Sequence, residues 1–291
     1  MTTVAVLGTT GMLGNSVVQE FAKFDGELIG SARNKQTDER LAKSFLLDAN
    51  SNDLPKPLVE LGESDFVINC VGVIKPYIDD NSASSRKNAL LINGLFPYLL
   101  EALATERGFK VIQIATDCVF SGIKGNYVET DFHDAVDVYG KSKSIGEVPS
   151  ANMMNLRASI IGPEVGRSTS LFEWVRNQPQ NARIQGYTDH HWNGVTAASF
   201  AKVCKGIVES QGFVSGVQHL IPGDTVTKSQ LVNHIARKTN RHDIEIVDSP
   251  SGTETDRTLA TANSAQNLKL WANAGYKTIP NIFDLVDEIE L

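Results

Sequence analysis

The sequence predicts an α/β fold: a doubly wound parallel sheet followed by a smaller C-terminal lobe. Three observations carry this. Short β-branched runs alternate with helix-patterned segments through the first half of the chain, the order that gives parallel strands joined by crossover helices. The strand-like runs are apolar throughout rather than alternating, as strands covered on both faces must be. After residue 163 the texture changes, with more Gly, Pro, Ser and Asn and shorter elements.

In chain order, "TVAVLG" (3–8) reads as the first strand, and "MLGNSVVQEFAKF" (12–24) carries helical apolar spacing. "ELIGSA" (27–32) and "FVINCVGV" (66–73) are further strands. "NALLINGLFPYLLEALATE" (88–106) is a helix in which Pro97, lacking an N–H, predicts a bend or a break. "VIQIAT" (111–116) is a strand, "YGKSKSIGEV" (139–148) opens a helix, and "MMNLRASIIG" (153–162) is a strand. "NGVTAASFAKVCKGIVES" (193–210) is expected to pack back on the main sheet as a helix, and "SQLVNHIARKTN" (229–240) to form a helix between loops. The sheet domain is therefore expected to span 1–162 plus about 186–212, and the lobe about 163–185 and 213–291. Neither repeats nor low-complexity tracts interrupt this order.

Composition narrows the function classes. A chain of 291 residues can bury a large core, and 41% hydrophobic with 21% charged residues excludes wholesale disorder. A net charge of −7 leaves no basic footprint, so nucleic acid is not an expected partner. No apolar run is long enough for a bilayer, and "MTTVAVLG" reads as a strand rather than a leader, so no membrane association is expected and a soluble cytoplasmic protein is. Cys70, Cys118 and Cys204 lie far apart, which argues against a disulfide framework or a CxxC site. No metal is expected, and a homodimer stays open.

"GTTGMLG" places Gly8, Gly11 and Gly14 between the first strand and the first helix. Glycines there permit a tight turn and close approach of a pyrophosphate, while the helix end supplies free N–H groups and the positive end of a dipole. The spacing is GxxGxxG, one residue longer than GxGxxG. A glycine triplet alone is weak evidence, but its place between strand and helix makes Gly8, Thr10, Gly11, Met12, Leu13 and Gly14 candidates for cofactor binding. At the end of the second strand an acidic residue would read a ribose 2′-hydroxyl. The sequence instead has "SARNK", and Arg33 is suited to a 2′-phosphate, so NADP (as NADPH) is favoured while NAD stays open. Asp48, in "FLLDANSND", is a candidate for the adenine ring; a plain turn aspartate fits the pattern equally.

"YGKSK" puts Tyr139 and Lys143 on one helix face. A tyrosine with a pKa of about 10 is a poor acid–base group at neutral pH unless an adjacent ammonium stabilises its phenolate. Lys143 could also reach the ribose hydroxyls of a nicotinamide nucleotide. Thr116, at the end of the preceding strand, supplies a hydroxyl for a carbonyl oxygen. YxxxK alone arises often by chance, and a surface pair is the plain alternative.

Together, Gly8–Gly14, Thr116 and the Tyr139–Lys143 pair resemble the extended short-chain dehydrogenase/reductases. The run "TDCVFSGIKGNYVETDFHDAVDVYGKSKSIGE" (116–147) is similar to the dTDP-4-dehydrorhamnose reductase branch, which reduces 4-keto sugars attached to nucleotides. The resemblance covers nearly the whole chain, more loosely in the C-terminal lobe through "WNGVT" (192–196) and "DRTLAT" (256–261). It implies a Rossmann domain with a substrate-binding lobe. It also implies hydride transfer from NADPH to a sugar carbonyl, with Tyr139 donating the proton, Thr116 holding the oxygen, and Lys143 lowering the tyrosine pKa and orienting the ribose. Asn93 matches the helix asparagine that supports the lysine through water.

The related sugar-nucleotide 4,6-dehydratases follow their threonine with Asp and Glu. Here Asp117 is followed by Cys118, and a neutral thiol does not replace a carboxylate base, so reduction is favoured over elimination. The reductase branch often has an aromatic residue at this position. Asp117, Cys118, Trp192, Asn193 and Arg257 are the substrate-contact candidates, Arg257 for its bidentate fork toward a diphosphate. A packing tryptophan and a surface salt bridge are the plain readings of Trp192 and Arg257. His190 and His191 read as loop residues near this site, and Lys75 as a rim lysine. The expected function is reduction of a nucleotide-linked 4-keto sugar for polysaccharide or glycan precursor synthesis. The alternatives are a nucleotide-sugar epimerase and a non-catalytic dinucleotide-binding regulator, since the regulatory subunit of methionine adenosyltransferase resembles the same branch.

Overall fold

A computed structural model describes residues 1–34, 38–51, 54–164, 166 and 168–291. Among these, the main sheet has seven strands: β1 (Thr2–Leu7), β2 (Gly26–Ala32), β3 (Lys43–Leu46), β4 (Phe66–Asn69), β5 (Lys110–Ala115), β6 (Met153–Arg157) and β7 (Gly216–His219). All pair in parallel, in the spatial order 7-6-5-4-1-2-3. The order reverses between β1 and β4, which opens a crevice at the carboxyl ends of these strands.

The uniformly apolar runs are explained by two cores. On one face α1 (Met12–Phe21) and a C-terminal helix, Ala197–Glu209, cover Val4, Val6, Ile68, Ile112 and Leu156. On the other, Phe96, Leu100 and Ala104 cover Ala5, Leu7, Val67 and Val111. Each of those nine strand residues is fully buried, so neither face of the inner strands meets water. The Ala197–Glu209 helix returns to the sheet as expected, started by a capping box between Thr196 and Ser199.

The expected 88–106 helix is two pieces. α2 (Ala83–Ala89) runs through a π-helical turn, Leu90–Leu95, into α3 (Phe96–Arg107). Pro97 stands in the first turn of α3, where its missing N–H costs least, and the irregularity lies just before it. The fourth helix, α4 (Val138–Ile145), packs against the π turn.

The lobe has its own core of Phe172, Val175, Ile184, Leu231, Val232, Ile235 and Val286. The expected boundaries move at two places. Gly216–His219, expected in the lobe, completes the main sheet as β7 because its backbone pairs with β6. His190–Trp192, expected with the sheet domain, instead pairs with Val226–Thr227 and Thr255–Asp256 in a three-stranded lobe sheet. Among the described residues no helix is long and apolar enough to cross a membrane.

Candidate active site

The glycine loop begins where β1 ends. Gly8 adopts φ +81°, a left-handed conformation that favours glycine, and its N–H and that of Thr9 both reach the Ser31 carbonyl on β2, at 3.1 and 2.9 Å. A Cβ at Gly14 would overlap the Gly8 carbonyl oxygen, so the first turn of α1 lies against the loop only with glycine there. Gly11 caps α1 without a side-chain hydrogen bond, and no acidic residue stands in the first turn. The helix end thus presents unsatisfied N–H groups.

Two cavities flank this loop. One, of about 600 Å³, is lined by Thr9, Thr10, Asn15, Arg33, Asp38 and Arg40 among others. The second, of about 340 Å³, takes Gly11, Met12 and Leu13 from the loop and Thr116, Asp117, Cys118, Tyr139 and Lys143 from the ends of β5 and α4. Nine of the ten expected cofactor residues therefore lie on this turn or line the two cavities. Asp48 is not brought in: it is exposed, lines neither cavity, and accepts the Asn50 N–H at 3.0 Å within its own turn. Lys35, the last residue of "SARNK", lies outside the described residues.

Thr116, Tyr139 and Lys143 line the second cavity together. The Thr116 hydroxyl serves a local turn, accepting the Cys118 N–H at 3.2 Å and donating to Asp117 Oδ1 at 3.2 Å. Lys143 is buried, its Nζ donates to the Ile114 carbonyl at 2.7 Å, and burial pushes its pKa down to about 8. Burial likewise pushes the Tyr139 phenol well above its ordinary value; the neighbouring Cys118 adds to this, while a hydrogen bond with Thr116 opposes it. The shift runs opposite to the lowering expected from Lys143, because desolvation of the phenolate is the largest effect on this group. Burial also raises the Asp117 carboxyl, against the pull of Arg257, and raises the Cys118 thiol to about 12. In this cavity burial acts against the charged form of every one of these groups.

Asn93 sits in the π turn, and its amide is fully engaged. Oδ1 accepts the Val73 N–H at 2.8 Å, while Nδ2 donates to the Val73 carbonyl at 2.9 Å and to Ser142 Oγ at 3.1 Å. These bonds fix the loop after β4 against α4. Gly146 lets the helices close, since a Cβ there would overlap the Asn93 carbonyl.

Other candidates are placed differently from expectation. Trp192 Nε1 donates to Ser159 Oγ at 2.8 Å, and the ring packs on the lobe core. Asn193 is buried and exchanges two hydrogen bonds with the Leu259 backbone, at 2.7 and 2.9 Å. Neither lines a cavity; both pin the lobe to the sheet domain. Arg257 donates through Nε to the Phe120 carbonyl at 2.9 Å, which brings its charge beside Asp117 and Cys118 rather than toward a separate diphosphate site. His190 bonds Ser251 Oγ at 2.9 Å, and Lys75 pairs with Asp137 at 2.7 Å on the rim.

Sequence reasoning missed a buried hub under the cavity. Arg157, at the end of β6, is completely buried, paired with Glu147 and stacked over Phe120. Its other N–H groups donate to His219 Nε2 at 2.7 Å and His133 Nε2 at 2.8 Å. His219 Nδ1 then donates to the Ala260 carbonyl and His133 Nδ1 to Ser144 Oγ. Both imidazoles are thereby held neutral, since a proton on either Nε2 would face a guanidinium. Burial, reinforced by Arg157, takes His219 down to about 4. The available signal was a lone arginine inside the apolar run "MMNLRASIIG". A third cavity of about 550 Å³, between the lobe helix Leu171–Arg176 and the strand Arg183–Tyr187, is lined by Trp174, Arg183, Tyr187 and Lys228, none of which was anticipated. Among the described residues no cluster of His, Cys, Asp and Glu could hold a metal ion.

Known proteins share this architecture. The chain is 27% identical over 277 residues to methionine adenosyltransferase 2 subunit beta of Danio rerio, covering 87% of this chain and 80% of that one. It is 29% identical over 158 residues to the spore coat polysaccharide biosynthesis protein SpsK of Bacillus subtilis, covering 50% and 47%. The crystal structure of dTDP-4-dehydrorhamnose reductase from Bacillus anthracis in complex with NADP superposes with a TM-score of 0.76 at 16% identity, covering 99% and 98% of the two chains. MoeE5 in complex with UDP-glucuronic acid and NAD superposes at 0.74 with 16% identity, covering 98% and 97%. The family model for the RmlD substrate binding domain matches residues 1–281, and the chain belongs to that family.

Proposed function

We propose that the protein is an NADPH-dependent reductase of a nucleotide-linked 4-keto sugar, acting in polysaccharide or glycan precursor synthesis. The observation that carries this is the convergence of Thr116, Tyr139 and Lys143 on one cavity whose opposite wall is the glycine loop. The loop fits a dinucleotide: the space that a Cβ at Gly14 would fill is taken up by close packing, and the helix end is uncapped. Gly8, Thr10, Gly11, Met12, Leu13 and Gly14 would hold its diphosphate, and Arg33 its 2′-phosphate. When bound, the nicotinamide supplies the hydride.

The chain's own residues supply position and a proton. Tyr139, protonated through burial, donates to the oxygen that develops negative charge at the sugar carbon. Thr116 exchanges its bond to Asp117 for that oxygen. Lys143, tethered to Ile114, orients the ribose, and Asn93 holds the loop and helix that carry these groups. The third cavity, with two aromatic faces and two cations, suits the nucleoside diphosphate of the substrate.

A second reading has a specific observation behind it: the 27% identity to a methionine adenosyltransferase subunit over most of the chain, which favours a dinucleotide-binding partner protein. One experiment separates the two. The protein is incubated with NADPH and a panel of nucleotide-linked 4-keto sugars while reduced nicotinamide is followed by absorbance. Turnover on one of them supports the reductase; tight NADPH binding without turnover on any supports the partner protein.

A further inference from the structure

The 600 Å³ cavity beside the glycine loop contains a second guanidinium. Arg33 stands exposed at the end of β2 on one side, and Arg40 lies on the other. Arg40 is anchored, its Nη2 donating at 3.0 Å to Asn15 Oδ1 in the first turn of α1, the helix whose end forms the cradle. The remaining face of its fork is filled by Asp38, which accepts from Nε at 2.8 Å and from Nη2 at 2.7 Å, and also takes the Arg40 backbone N–H at 3.1 Å. Every hydrogen bond found for the Asp38 carboxylate among the described residues goes to Arg40. This is the fork-to-fork geometry that a phosphate would adopt on the same guanidinium, and phosphate is the more highly charged anion.

We propose that Arg40 is the second cation, with Arg33, of a site for the 2′-phosphate of NADPH, and that Asp38 is an internal anion competing for the same fork. The proposal rests on the dinucleotide reading of the glycine loop. Its consequence is a pair of opposite effects: removing Arg40 weakens the preference for a 2′-phosphate, and removing the charge of Asp38 strengthens it.

The test uses the full chain and two fragments that carry only the adenine end, 2′,5′-ADP and 5′-AMP, titrated by calorimetry. Arg40→Ala is expected to weaken 2′,5′-ADP by about tenfold or more, the worth of a charge-assisted hydrogen bond, with 5′-AMP unchanged. Arg40→Lys, which keeps the charge but loses the fork, is expected to fall in between. Asp38→Asn is expected to tighten 2′,5′-ADP severalfold, again with 5′-AMP unchanged. An Asp38→Asn protein that binds 2′,5′-ADP no better than the wild type overturns the competition. Equal weakening of both fragments by Arg40→Ala overturns the phosphate assignment, as does a wild type that binds both fragments alike. A wild type that binds neither fragment overturns the dinucleotide reading itself.

Discussion

The cavities on either side of the glycine loop share a wall yet treat charge in opposite ways. In the cavity of Arg33 and Arg40, Arg33 is exposed and the Asp38 carboxyl is held below its ordinary range by the Arg40 guanidinium, so the charged forms are favoured there. In the cavity of Thr116, Tyr139 and Lys143, burial raises Tyr139, Asp117 and Cys118 and lowers Lys143. One end keeps its charges in contact with water; at the other, burial disfavours the charged forms. The difference follows the sheet: the first cavity opens over β2 and the edge strand β3, whereas the second lies at the ends of β4, β5 and β6, all paired on both sides.

The comparison can be broken first at the dry end. Tyr139→Phe should lower keto-sugar turnover by about 10²- to 10⁴-fold, the range for losing a positioned acid. NADPH affinity, read by fluorescence titration, should stay within about twofold, under a third of the ~1.4 kcal/mol that makes a tenfold change. Next, Arg157→Leu leaves Glu147 buried without its partner and should cost about 3–5 kcal/mol in urea unfolding.

The same hub should make stability depend on pH. His219 has a folded pKa of about 4, below its ordinary 6.5, so the unfolded chain binds the proton first. Stability is therefore full above about pH 6.5 and is lost as pH falls toward 4, by roughly 3 kcal/mol. His219→Gln should flatten that slope in denaturation series at stepped pH. The smallest effect belongs to the wet end: Arg33→Ala should cost NADPH about tenfold in affinity with little change for NADH, and raising salt should erode the difference.

How much of this could be read in advance followed from how local each signal was. The glycine loop, the apolar strands and the Tyr139–Lys143 pair depend on spacings of a few residues, so the chain displays them directly. Arg157, His133 and His219 meet across separations of 24 and 62 residues, and only the fold brings them together. Asn193 looked like a substrate contact because it neighbours Trp192, but its hydrogen bonds go to Leu259, 66 residues away. Arg40 was one charge in a loop full of them. What singles it out is the contact with Asn15 on α1, which no periodicity encodes.

The most direct test of the account follows one atom. NADPH deuterated on the transferring face of the nicotinamide is turned over with a nucleotide-linked 4-keto sugar, and the product sugar is examined by mass spectrometry and NMR. The account predicts one deuterium, at C4 of the sugar, with the wild type and none with Tyr139→Phe in the same time. A wild type that binds NADPH firmly and leaves every such sugar unlabelled would contradict it.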